Sequence, residues 1–201
     1  MRLVSYGGSG DGARWRVFIS HTSEMRDFPR GTSYVAEAER AISAAGHVIV
    51  DMADFAAAGQ APAQVCAEQV QACDVYMGVL GTRYDSPVRD RPEVSYTELE
   101  FDTATQAGLD RLVFLLDTTA EDVGIPPSAL IDREFGDRQN AFRRRVQDSE
   151  LTTRPFASPA ALGQLVERSL RDLAQTRQRI GSGIRREQVP AEPARAARCH
   201  E

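Results

Sequence analysis

Lysine is absent from this chain: all 24 basic residues are arginine. That excludes Schiff-base chemistry on a lysine amine and a phosphate-binding loop that ends in lysine. Cysteine is scarce. Cys66, Cys73 and Cys199 include no Cys-x-x-Cys pair. Cys66 and Cys73 fall in or next to an apolar helical face, so they read as small buried hydrophobes of a reducing compartment. His21, His47 and His200 share no metal-ligand spacing, and a zinc site is not expected. No apolar run approaches membrane-spanning length, and the N-terminus lacks the charged-then-apolar layout of a secretory signal. The expected location is therefore cytoplasmic, with no membrane partner. An excess of positive charge is missing too. The net charge is −5, so a nucleic-acid partner is not expected. There is no Gly-x-Ser-x-Gly elbow, no obvious pair of carboxylates and no internal repeat.

What is present suits one compact domain. The chain has 201 residues, of which 42% are hydrophobic and 26% charged. Residues 1–13 are glycine-rich and read as a flexible leader. Residues 14–178 read as an α/β domain, and 179–201, rich in Pro, Ala, Arg and Glu, as a disordered tail or linker. Short apolar runs mark strands at Arg14–Ser20, His47–Asp51, Val75–Leu80 and Arg111–Leu116. Thr152–Phe156 fits an edge strand, because Pro155 cannot donate to a ladder. Helical spacing marks Tyr34–Ala45, a stretch from Pro62 to Cys73, Ser95–Ala107, about Arg133–Asp148, and a last helix opening at Pro159. The loop Met52–Ala61 carries Phe55. Strand–helix alternation of this kind predicts a mainly parallel sheet of about five strands with helices on both faces. With strand order 2-1-3-4-5, ligands bind beyond the C-terminal strand ends, where the order reverses between strands one and three.

The helix Ser95–Ala107 stands out. Ser95 is a good N-cap, Glu98 completes a capping-box pattern, and Gly108 suits the left-handed position after the helix. Tyr96, Leu99, Thr103, Ala104 and Ala107 share one face, and Glu100 falls in the middle of it, while Glu98 and Asp102 point to solvent. A carboxylate is thus set where carbon should be buried. It either pairs with an arginine that pins the helix or faces a cleft. Ser20/His21, Arg83/Tyr84 and Glu100 converge at the switch point. A lone carboxylate there suits cleavage at a ribose anomeric carbon, where an anion stabilises an oxocarbenium-like transition state. Nearby arginines can hold a phosphate, and Tyr84 or Phe55 can stack on a base. Each part has a plainer alternative. His21 can cap a turn, Tyr84 can fold onto the core, and Arg83, Arg89 and Arg91 can form a solvated loop. The run Arg143-Arg144-Arg145 reads as the outer face of its helix.

Val17-Phe-Ile-Ser-His-Thr-Ser-Glu24 resembles the opening strand and loop of Toll/interleukin-receptor (TIR) domains. Asp74-Val-Tyr-Met-Gly-Val-Leu-Gly-Thr-Arg-Tyr84, followed by Ser95–Glu100, resembles their third strand, its tyrosine-bearing loop and the glutamate-bearing helix. The nearer resemblance is to a bacterial TIR-like family of unknown function, the DUF4062 type. Glu100 to Ala104 is also similar to the Glu-x-x-x-Ala of nucleoside deoxyribosyltransferases. These resemblances imply a flavodoxin-like fold that self-associates or joins a fused or partner signalling protein, in bacterial defence or signal transduction. They also imply NAD or a nucleoside as a possible ligand, consumed as a substrate with no resident cofactor. Glu100 would be the catalytic residue, with Ser20, His21, Arg83, Tyr84 and Tyr96 around the ligand.

Overall fold

In the computed structural model, residues 13–51, 63–121, 123–149 and 151–187 are described. Strand β1 (Arg16–His21) carries the Val-Phe-Ile run, buried on both faces as a central strand requires. It pairs in parallel with β2 (Val48–Asp51) on one side and with β3 (Val75–Leu80) on the other. β3 pairs with β6 (Asp110–Leu116), and β6 with the edge strand β7 (Thr153–Phe156), where Pro155 does sit. The sheet order is β2-β1-β3-β6-β7, which is the expected 2-1-3-4-5. Two further strands, β4 (Pro87–Val88) and β5 (Arg91–Ser95), make an antiparallel hairpin inside what reads from the sequence as a plain loop.

Helices cover both faces. On one side α1 (Ser23–Asp27), α2 (Tyr34–Ala44) and α7 (Pro159–Glu187) cover a core of Val17, Ile19, Met25, Tyr34, Ile42, Val166 and Leu170. On the other, α3 (Ala63–Gln71), α4 (Tyr96–Gln106) and α6 (Gly136–Gln147) enclose Phe18, Val70, Tyr76, Phe101, Phe142 and Val146. A short α5 (Pro127–Leu130) precedes α6. This three-layer arrangement is a flavodoxin-like α/β fold. Both α2 and α4 end on a glycine in the left-handed region, Gly46 at φ 83° and Gly108 at φ 67°. The following residue closes a Schellman motif each time, His47 N–H to Ile42 O and Leu109 N–H to Ala104 O.

Some boundaries differ from the sequence expectation. Ala45 and Ala107, assigned to inner helix stripes, are exposed, because each helix turns off at its C-cap there. Phe101 and Thr97, assigned to no face, are buried, since α4 is wedged between the sheet and α3 and so buries more than one stripe. The last helix continues to Glu187, through residues expected to begin a tail. The leader up to residue 12, the stretch 52–62 with Phe55 and Pro62, and residues 188–201 lie outside the described residues. Among the described residues no helix is long and apolar enough to cross a membrane.

Candidate functional site

The first turn of α4 is held as a cap predicts, with one substitution of partners. The Ser95 side chain accepts from the Glu98 N–H at 3.2 Å. Glu98 does not return the bond to Ser95. Instead the Ser95 N–H donates to the Tyr84 hydroxyl at 3.2 Å, and the Tyr84 hydroxyl donates in turn, with the Glu98 carboxylate at 2.8 Å and the Glu93 carbonyl at 2.9 Å in reach. Tyr84 is 1% exposed, and its ring lies against Phe135 and under the Arg138 guanidinium. It locks the helix start to the β3–β4 loop, and in this conformation no face of its ring is open for stacking. Tyr96, half-buried, packs against Cys66, Val88 and Leu99. Glu98 and Asp102 do not simply face solvent. Arg145 bridges them, with 2.6 Å bonds to each.

Glu100 is 6% exposed. No arginine among the described residues pairs with it, so the ion-pair reading of this helix is set aside. Its Oε2 accepts from the Ser20 hydroxyl at 2.5 Å, and Oε1 from the Cys66 thiol at 3.5 Å. Ser20 comes from the C-terminal end of β1 and Cys66 from α3. Burial pushes the Glu100 carboxyl up from 4.5 to about 7, against the two hydrogen bonds that favour the ion, with Asp85 adding repulsion. Burial likewise pushes the Cys66 thiol up, and the Glu100 charge adds to this. The thiol is therefore a hydrogen-bond donor here and not a nucleophile.

His21, the next residue of β1, is neutral. Burial and the neighbouring Arg26 lower it to about 4. Arg26 Nε donates to His21 Nε2 at 3.1 Å, which puts the ring proton on Nδ1, 3.2 Å from the Thr22 carbonyl. Arg26 also pairs with Asp51 at the end of β2 and with Glu39. His21 therefore sits in an ion-pair network with Arg26 and Asp51 and not as a free acid–base group, and it is Ser20, not His21, that meets Glu100. The Arg83 backbone N–H is bound to Glu24, while its guanidinium makes no hydrogen bond or ion pair among the described residues. It is a cation near this edge of the sheet, and its charge acts on Asp85 and Asp132.

Two acids build the rim, and sequence reasoning gave neither a role. Glu24, 1% exposed, accepts the Thr82 N–H at 2.5 Å and the Arg83 N–H at 3.0 Å, and burial raises its carboxyl. Asp85, at φ 65°, accepts the Ser23 N–H on both oxygens at 3.0 Å and so caps α1. It too is raised by burial. These bonds tie the β1–α1 and β3–β4 loops together at the switch point. The signal was in the sequence, as polar residues directly after two apolar strands, but local pattern does not say which backbone each one meets. Arg143 corrects the outer-face reading of Arg143-Arg144-Arg145. It turns inward and donates to the carbonyls of Leu80, Gly81 and Leu116 at 2.8–2.9 Å, closing the C-terminal ends of β3 and β6.

Fold and site together define a flavodoxin-like α/β domain with a buried carboxyl at its topological switch point that has no ion-pair partner among the described residues. The chain matches the model of a family described as a domain of unknown function, DUF4062, over residues 16–171, and belongs to that family. The match thus spans the sheet, Glu100 and the first part of α7. A comparison with curated proteins finds no match.

Proposed function

We propose that this domain breaks an N-glycosidic bond in a nucleotide-type ligand, with NAD the leading substrate and Glu100 the acting carboxyl. One observation carries the reading: Glu100 is buried at the β1/β3 switch point, and among the described residues its partners are the neutral donors Ser20 and Cys66. A structural acid in such a position would normally be matched by a cation. A carboxyl held near pH 7 can ionise as positive charge develops on a ribose and stabilise it in a site of low dielectric. Arg83 supplies a cation for a phosphate at the same edge. Helix α3 provides Cys66, one of its buried residues with Val70.

A second reading, a self-associating signalling module for a fused or partner protein, is favoured by the closure of the same region. Glu100 is 6% exposed and Tyr84 1%. Incubation of concentrated protein with NAD and with nucleosides, with released base measured by chromatography, separates the two. The glycosidic reading expects base release that falls by ~100-fold or more in Glu100→Gln. Equal release by both proteins contradicts it, and absence of release from the concentrated wild type favours the module.

A further inference from the structure

Tyr76 lies on β3 in the layer beneath α4, between Phe18 at 6.3 Å and Phe101 at 6.0 Å. It is fully buried, and its hydroxyl makes no hydrogen bond of standard geometry among the described residues. Phenylalanine would fill that space without leaving a polar atom unpaired, so the hydroxyl calls for a reason. Its position supplies one. The ring runs along its own strand over Gly78. A β-carbon on Gly78 would lie 3.2 Å from Tyr76 Cε1 and 3.3 Å from its hydroxyl oxygen. Gly78 is in register with Ser20 on β1. The phenol end therefore sits beside Ser20, the residue that donates to Glu100 at 2.5 Å. A serine hydroxyl that has given its proton still offers lone pairs to a donor. Ser20 favours the ionised phenol, while burial, Glu100 and Cys66 oppose it, which keeps Tyr76 protonated and able to donate.

We propose that Tyr76 is a positioning residue for Glu100 that acts through Ser20, its hydroxyl steadying the serine's bond to the ionised carboxylate. When Glu100 loses its proton, Tyr76 O–H turns onto Ser20 Oγ, and Ser20 O–H holds Glu100 Oε2. The negative charge is then shared along three residues from β3, β1 and α4. The other groups that act on Glu100 are the Cys66 thiol from α3, a donor, and Asp85 from the β3–β4 loop, which opposes ionisation. Asp102, on α4 itself, acts on the phenol in the same sense as the other acids. The catalytic consequence rests on Glu100 being the acting carboxyl, but the coupling itself does not.

Carboxyl-carbon NMR through a pH series tests it, with the Glu100 signal identified by its absence in Glu100→Gln. Tyr76→Phe, which keeps the ring, should raise the Glu100 midpoint by about half a pH unit, because the ionised form loses support. Ser20→Ala should raise it further. The double variant should match Ser20→Ala alone, since the two act in series. An unchanged midpoint in Tyr76→Phe, or shifts that simply add in the double variant, would overturn the proposal. The titration needs no substrate, so a wild type inactive on NAD would count against the glycosidic reading and leave this result standing on its own.

Discussion

Gly81 has no room for a side chain. A β-carbon there would lie 2.8 Å from Glu24 Cδ and 2.8 Å from Met25 Cε, and its own N–H and carbonyl are used by Thr22, Gln139 and Arg143. Glu24 cannot yield, because it holds two backbone N–H groups of the next residues. Gly81→Ala should therefore destabilise the protein by about 2 kcal/mol in urea unfolding, from overpacking and lost hydrogen bonds together. Tyr84→Phe is gentler. It removes the hydroxyl that accepts the Ser95 N–H, so it should cost about 1 kcal/mol and speed amide exchange at Ser95 more than in the body of α4. At this scale the sequence was partly legible. Ser95, Glu100 and Gly108 could be placed from spacing alone. Tyr84 could not, because whether a tyrosine stacks on a ligand or locks a helix depends on what lies beyond its own loop.

Helix α6 shows what an element-level pattern holds and what it hides. Gln139, Phe142 and Val146 are buried, and Arg143 lies on the same stripe, at i+4 from Gln139. Charge argued for the outside, yet spacing argued for the inside, and spacing was right. Open carbonyls at two strand ends outweighed the desolvation of a guanidinium, whose pKa is lowered by burial while the Glu24 charge works the other way. Arg143→Ala should thus cost about 3 kcal/mol by freeing the carbonyls of Leu80, Gly81 and Leu116, whereas exposed Arg144→Ala should stay within about 0.5 kcal/mol. Parallel denaturation curves check the pair. The β4–β5 hairpin went unread for a related reason. Pro87 and Pro92 mark loops in a local reading, and only the tertiary setting, with Tyr96 N–H donating to the Ser86 carbonyl, makes a short ladder of them.

At the scale of the whole molecule, the parallel sheet covered on both faces followed from alternation, and the order 2-1-3-4-5 taken for it, with its switch point between strands one and three, is the one observed. The partners of Glu100 did not follow. Ser20 and Cys66 lie 80 and 34 residues away in the chain, and neither belongs to a charge pattern that spacing could expose. What the fold does with that carboxyl is readable in its stability. The folded Glu100 titrates at about 7 against an ordinary 4.5, so it binds a proton more readily folded than unfolded, and stability falls as pH rises from 4.5 through 7. His21 acts in the opposite sense. Its lowered value, about 4 against 6.5, means stability lost as pH falls through that window. His21, Glu24 and Asp85 are common to wild type and Glu100→Gln, so a comparison of the two isolates Glu100. The most direct measurement is therefore urea unfolding of both proteins at pH 5 and pH 8. Glu100→Gln should be the more stable by about 3 kcal/mol at pH 8 and by no more than about 1 kcal/mol at pH 5. A difference that is the same at both pH values, or a variant less stable at both, would show that the carboxyl at position 100 is not held unpaired at the switch point.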